Sequence, residues 1–441
     1  MNSYISKKEK KRLIVLTDIS SITAGFKEPD DAQSFIRLLL YANEFDIEGL
    51  IASYSVHWKD EGGVKPEYLE AVVKEYQKVR ENLLLHDSQY PSYEYLLSCI
   101  KSGNPKCGLA EVGANKDTQG SDHIISVVDR PDPRPVWIII WGGPTDLAQA
   151  IWKVESERTA EEFAAFKSKI LVYSIADQYD ETGPWLRQNH PDIFYITSYK
   201  ALRGMYRGGD TSLLSPQWLK ANVCNNHGPL GAMYPIYDGG DIFSGRIGKV
   251  EGIKEGDTPS FLYLIPNGLS DPMKPSWGSW GGRFYGTGKQ FFDDMDTYEE
   301  EIDEMASVYK WRKAYQADFQ ARMDWCVKPF KESNHAPVVV IDQEIEQTVL
   351  SGTEVILSAK GSYDPDGDGL SFSWDFYRDA SSFKGQLELK NKNSMEVSFI
   401  APEVVYFPKT IHMILTVKDN GEPALTSYKR VVVTVDPKWR R

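Results

Sequence analysis

Three aspartates near the start of the sequence carry the clearest chemistry. Asp18 closes the apolar run Leu13-Ile14-Val15-Leu16-Thr17, and Asp30-Asp31 follow Glu28-Pro29 where an amphipathic stretch begins. Adjacent side chains diverge at a helix start, so one of Asp30 and Asp31 can face a metal while the other faces a ligand. Carboxylates meeting at a strand end and a helix N-terminus suit a hard, oxygen-seeking cation such as calcium, and the helix dipole helps to hold the negative charge. The competing reading is that Asp30 or Asp31 caps the helix and Asp18 is a solvated turn residue.

Further along, Trp277-Gly278-Ser279-Trp280-Gly281-Gly282-Arg283-Phe284-Tyr285 is too rich in glycine for a regular helix and too aromatic for an ordinary solvated loop. Paired Trp rings with an Arg can stack on sugar faces and bond their hydroxyls, or they can plug a seam between domains. The segment Gly183-Pro184-Trp185-Leu186-Arg187 presents the same choice, Arg187 being a substrate contact or half of a salt bridge. Asp364, Asp366 and Asp368 alternate in a turn; they could ligate calcium or simply favour the turn, and the terminal Glu of an EF-hand loop is missing.

The elements that must position these groups come in two grammars. From residue 12 to about 330, apolar runs alternate with helical periodicity: strands at Leu13–Leu16, Ile47–Ala52 and Val136–Ile140, and helices at Ala32–Tyr41, Tyr68–Val79 and from Asp146 to Trp152. This predicts an α/β domain with a mostly parallel central sheet, in which ligands bind beyond the carboxyl ends of the strands. The charged stretch Tyr298–Phe319 reads as helical. From 335 to 441 short strands (Val338–Ile341, Glu354–Ser358, Leu370–Trp374, Ile411–Val417, Lys429–Val435) alternate with Pro, Gly, Asp and Asn turns, predicting an all-β immunoglobulin-like sandwich.

With 441 residues, 41% hydrophobic and 26% charged, the chain has the composition of folded domains, which excludes a disordered or collagen-like protein. A net charge of −13 argues against a nucleic acid polymer as partner, since such binding rests on Lys and Arg neutralising phosphates. No run approaches the ~18 apolar residues of a membrane span, and no signal peptide is legible. Cys99, Cys107, Cys224 and Cys326 form no C-x-x-C pair, which excludes a cysteine zinc knuckle.

The order strand, Thr17-Asp18, loop, Asp30-Asp31-Ala32, apolar helix, Ile47-Glu48-Gly49-Leu50-Ile51 resembles the N-terminal motif of the inosine–uridine-preferring nucleoside hydrolases. Trp141-Gly142-Gly143-Pro144-Thr145-Asp146 resembles the loop after a central strand of that family. The whole chain resembles a group with a nucleoside-hydrolase-like domain and a C-terminal sandwich, often labelled cellulose-binding proteins. The blocks that carry this likeness are Asp30-Asp31-Ala32-Gln33-Ser34, Asp180-Glu181-Thr182-Gly183-Pro184-Trp185, Pro275 to Arg283 and Arg322 to Pro329. The acidic turn of the sandwich resembles polycystic-kidney-disease-type modules.

The resemblance implies a calcium ion held by Asp18, Asp31, Asp257 and the Thr145 carbonyl, with Asp18 taking a proton from water and Asp30 binding a sugar hydroxyl. Gly256 stands where many nucleoside hydrolases have the His that protonates the leaving base, and no Asn follows the second strand near Ser55-Val56. About ten residues, Ile19 to Glu28, separate Asp18 from Pro29, where the family has a tight loop. Cleaving a glycosidic bond needs a base for water, a proton for the leaving group and a grip on sugar hydroxyls. Asp18 fits the first, while His57 and Asp180 are candidates for the second.

The expected function is a calcium-dependent hydrolase of glycosidic bonds in a nucleoside or other small glycoside, with a non-catalytic carbohydrate-binding protein as the alternative. Substrate contacts are expected from Asp30, His57, Asp180, Trp185, Arg187, Trp277, Trp280 and Arg283. The partner is a small glycoside or glycan; a homodimer is left open, and the resemblance points to a periplasmic or extracellular location.

Overall fold

The structure, a computed structural model, describes residues 9–20, 29–58, 63–239 and 249–438. Eight strands form the first sheet: β1 (Lys11–Thr17), β2 (Phe45–Ala52), β3 (Ile100–Ser102), β4 (Val136–Ile140), β5 (Ile170–Ile175), β6 (Phe194–Ser198), β7 (Phe284–Thr287) and β8 (Gln290–Asp293). Their order is β3-β2-β1-β4-β5-β6-β8-β7, with all neighbours parallel except the antiparallel edge pair β7 and β8. Strand alternation divides the core. Leu13, Val15, Trp137 and Ile139 face one side, and Ile14, Leu16, Ile138 and Ile140 the other. A sheet buried on both faces needs helices on both. The first face is covered by α1 (Asp30–Leu40), α2 (Pro66–His86) and α3 (Tyr93–Cys99), the second by α4 (Gln119–Val128), α5 (Thr145–Glu157), α6 (Ala160–Ser168) and α7 (Thr182–Asn189).

The chain then continues through a hairpin, β9 (Asp296–Tyr298) and β10 (Glu301–Asp303), and a helix over Arg312–Asp324. The single helix expected over Tyr298–Phe319 is therefore broken. Glu299 and Glu300 adopt φ of 49° and 71°, a turn conformation that the hairpin imposes over the helical propensity of their neighbours.

The C-terminal strands are β11 (Glu346–Leu350), β12 (Glu354–Ser358), β13 (Ser371–Phe376), β14 (Glu396–Ile400), β15 (Lys409–Lys418) and β16 (Thr426–Asp436). A four-stranded sheet β11-β16-β15-β13 packs on the pair β12-β14 through Trp374, Leu415, Val433, Leu357 and Phe399. This is the expected sandwich. The strand expected at Val338–Ile341 is reduced to a single bridge between Val338 and Tyr363. β11 is not predicted because its sequence is mixed polar and none of its side chains is buried, and β14 is not predicted although Val397 and Phe399 alternate inward, because its apolar pattern spans only these two positions.

The outer face of the four-stranded sheet joins the first core through Tyr377, Ile414 and Tyr428. Aromatic edges close the seam: Trp280 against Tyr428 at 6.2 Å, Trp311 against Tyr428 at 5.6 Å and Trp277 against His412 at 5.3 Å. No helix among the described residues is long and apolar enough to cross a membrane, and all four cysteines are free thiols.

Candidate active site

The carboxyl ends of β1, β2, β4 and β5 open onto a cleft, as the sheet type requires. Asp30 and Asp31 are the first two residues of α1, whose N-cap is Pro29 without a side-chain cap bond. One oxygen of Asp30 accepts from the Asp31 nitrogen at 3.1 Å within the first turn, while Asp31 accepts from the Thr17 hydroxyl. Asp257 precedes the short helix Thr258–Leu262 and also makes no capping bond there. Carboxylate oxygens of Asp30, Asp31 and Asp257 lie within 4.8 Å of one another.

Asp31 and Asp257, both expected as metal ligands, are thus brought together, and Asp30, expected to bind a sugar hydroxyl, joins them. Asp18, 7% exposed at the end of β1, accepts a hydrogen bond from the Ser55 hydroxyl beyond β2. The Thr17 hydroxyl donates to Asp31 and ties the strand end to the helix start. Gly142 is required there: a Cβ would come within 2.4 Å of Ser53 Oγ and 2.8 Å of the Asp18 nitrogen. Glu28 lies outside the described residues.

Thr145, whose backbone carbonyl is the atom expected to face a metal, spends its side chain elsewhere. As the first residue of α5 it donates its hydroxyl to Asp180 at 3.0 Å and accepts from the Gly108 nitrogen at 3.1 Å. Asp180 is 1% exposed and also accepts from the Thr182 nitrogen and hydroxyl, both at 2.9 Å. It ties loops together and does not line the cleft.

Two residues on one face of α1, four apart, set the register of the trio. Gln33 donates to the carbonyls of Pro235 and Gly252 at 2.7 and 2.9 Å and accepts from the Lys254 nitrogen at 2.7 Å. Arg37 binds Glu255 at 2.9 Å with both side chains fully buried. Burial alone would lower the Arg37 pKa, but the charge of Glu255 and its hydrogen bond leave it raised. The helix carrying Asp30 and Asp31 is thereby stapled to the segment carrying Asp257. Neither staple is legible as such in the sequence, since its partners lie more than two hundred positions away.

The opposite wall follows β5. Ala176, Asp177, Gln178 and Tyr179 have φ of 55°, 47°, 48° and 56°, four consecutive left-handed residues without a glycine. Each costs about 1–2 kcal/mol, so the surroundings must over-determine the turn. They do: Asp177 accepts from Tyr195 at 2.7 Å and pairs with Arg187, its nitrogen donates to Ser174 Oγ at 3.2 Å, and the Gln178 amide donates to the Trp141 carbonyl. Gly183 makes room, because a Cβ there would meet Asp177 at 2.4 Å. The turn presents Gln178 and Tyr179 to the cleft, whose lining also includes Asp30, His57, Arg203 and Lys254. His57 meets the Tyr179 ring edge-on at 6.1 Å.

The remaining expected contacts fall elsewhere. Arg187 supports Asp177, and Trp185 packs against His190 at 5.2 Å, so both serve the framework. Trp280 is 2% exposed in the seam, Trp277 lies against His412, and Arg283 is buried on Asp294 and Asp296. The tryptophan and arginine block is the plug between the two halves, because Tyr428, His412 and Asp296 occupy the faces a sugar would need.

Beside the cleft, Asp146 is 1% exposed, and burial raises its pKa to about 6 against the lowering effect of the Thr118 hydroxyl and the Asn104 nitrogen. A raised carboxyl pKa stabilises the fold below the unfolded value and loses that contribution as pH rises toward the folded one. Denaturant titrations should therefore find Asp146→Asn gaining on wild type by on the order of 3 kcal/mol between about pH 4 and pH 7. Parallel pH profiles for the two proteins would contradict this.

An open parallel sheet with acidic groups converging at its strand ends, beside a buried aspartate after β1, defines a nucleoside hydrolase-like domain. A family model described as "Cellulose-binding Sde182, nucleoside hydrolase-like domain" matches residues 12–284, and one described as "Cellulose-binding protein Sde0182, C-terminal domain" matches residues 354–435. The chain belongs to this cellulose-binding Sde182 family. A solved nucleoside hydrolase-related hypothetical protein from Saccharophagus degradans, described as associated with carbohydrate metabolism, is 34% identical with a TM-score of 0.81, covering 97% of this chain and 100% of that one. The PKD domain of the KIAA 1837 protein is 19% identical over 23% of this chain and 90% of its own, with a TM-score of 0.17 that supports no inference. No curated protein matches.

Proposed function

We propose that the cleft is the active site of a calcium-dependent hydrolase of glycosidic bonds, acting on a nucleoside or another small glycoside. It would reside in a unit spanning 12–330, with 335–441 as an appended module. The observation that carries this reading is the convergence of Asp30, Asp31 and Asp257, with Thr17, the neighbour of Asp18, bonded to Asp31. Three carboxylates with their oxygens this close form a hard, anionic donor set, which fits calcium. Bound there, the ion would supply positive charge to sugar hydroxyls and to water.

The side chains account for the rest of the chemistry. Asp18, oriented by the Ser55 hydroxyl, takes a proton from the attacking water. Asp30, on the cleft wall, accepts from a sugar hydroxyl, and Gln178 and Tyr179 face it across the cleft. With Asp180 committed to Thr145 and Thr182, His57 is the remaining proton donor among the candidates for the leaving group.

A non-catalytic glycan-binding role is the second reading, favoured by Gly256 at the usual position of the leaving-group His and by the family's description. Such a ligand would be met outside the cytoplasm, where we infer that the protein acts. A screen of nucleosides and small glycosides decides between the two. Wild type should cleave at least one compound, and Asp18→Asn should lower its turnover by about 10²- to 10⁴-fold with the fold unchanged. Equal behaviour of the two proteins across the screen, with oligosaccharide still bound by both, would favour the binding role.

A further inference from the structure

A second cavity, of about 390 Å³, opens where the C-terminal sandwich meets the helical layer, and it shares no lining residue with the cleft. Its origin is the sheet's alternation. Trp374, Met413 and Leu415 point into the sandwich core, which turns Asp375, Ile414 and Thr416 to the face that docks on the first domain. Docking is close at Tyr377 and Tyr428 but parts over Lys310 and Trp311, leaving the cavity between the two halves.

Trp311 and Tyr377 supply the aromatic lining, while Phe376, in step with Trp374, packs toward the sandwich core, and the rim carries charges of both signs, Lys310 and Arg378 against Asp375 and Asp379. The frame is rigid. Lys310 binds Asp296 at 3.0 Å and lies 4.4 Å from the Tyr377 ring, Tyr377 donates its hydroxyl to Asp296, and Thr297 donates twice to Asp379 at 3.0 Å. Two rim groups remain available. Arg378 is exposed, and among the described residues its guanidinium makes no hydrogen bond or ion pair. Asp375 is exposed and, among the described residues, accepts only from Ser373 Oγ at 3.1 Å.

This chemistry selects a ligand class. The volume is that of a small-molecule site. Two positive and two negative side chains balance, which disfavours a phosphorylated ligand, and four charges at the rim disfavour a lipid. Aromatic surface beside a paired donor and acceptor is what a neutral polyhydroxylated ring requires. We propose that the seam cavity is a second carbohydrate site, taking a neutral mono- or disaccharide unit against the aromatic wall, with Arg378 donating to and Asp375 accepting from its hydroxyls. It is independent of whether the cleft cleaves a glycosidic bond.

The test is calorimetric titration of the full-length protein with cellobiose, lactose and maltose. Saturable binding of at least one disaccharide is expected, weakened about tenfold or more by Arg378→Ala and by Asp375→Ala, and unchanged by Asp31→Asn in the cleft. Both rim side chains are exposed, so these variants leave the core intact. Absence of binding by all three sugars would overturn the proposal, as would binding that Asp31→Asn abolishes and the rim variants leave untouched.

Discussion

Arg37→Met is expected to cost about 3–5 kcal/mol of folding stability, because it strands the Glu255 carboxylate without its cation in a fully buried site. The loss has a signature that separates it from a cavity effect. Glu255 also accepts from Tyr234 at 2.6 Å, and Arg37 donates to Gln316 and the Tyr315 carbonyl at 2.9 and 2.7 Å, so the pair forms one network. Removing both charges, as in Arg37→Met with Glu255→Leu, should recover much of the loss, since two well-packed apolar groups carry no desolvation cost. Equilibrium denaturant melts of Arg37→Met, Glu255→Leu and the double variant give the coupling directly. A single-variant loss below about 1 kcal/mol would mean that the staple does not hold α1 to the Asp257 segment.

The second large effect lies at the carboxylate trio. Three negative groups with oxygens within 4.8 Å repel one another when no cation is bound and bind strongly when one is. Asp31→Asn should therefore be at least as stable as wild type in chelator, and less stable than wild type in calcium. At a free calcium concentration of one hundred times Kd the wild-type gain is about 2.7 kcal/mol, and the variant should show almost none of it. Thermal melts with chelator and with calcium provide the comparison, with direct titration of the ion as a check. Equal calcium shifts in both proteins would remove Asp31 from the ligand set.

Much of the architecture follows from local pattern. The runs Leu13–Leu16 and Val136–Ile140 are uninterrupted and β-branched, and a strand buried on both faces has that composition wherever it lies. The helix beginning at Asp30 was legible for the same reason, because apolar residues at helical spacing commit a segment before any partner is specified. The approach of Asp18 and Asp30-Asp31 followed from these two elements, since a parallel strand and its succeeding helix bring their adjoining ends together.

Other features needed the tertiary structure, and each depends on a distant partner. Trp277, Trp280 and Arg283 have one composition and two uses, and only the arrival of His412, Tyr428 and Asp296 makes them a seam plug. Asp180 looked as available as Asp18 until Thr145 and Thr182 occupied its oxygens. The left-handed turn at Ala176–Tyr179 has no glycine to announce it and is held by Arg187, Tyr195 and Trp141. The sequence by itself determined the two kinds of layer and the carboxylates at the strand ends, because periodicity and turn chemistry act over a few residues. Which polar side chains face the cleft and which are consumed in the framework was decided only by the folded chain, because burial and hydrogen-bond satisfaction are set by residues that are neighbours in space alone.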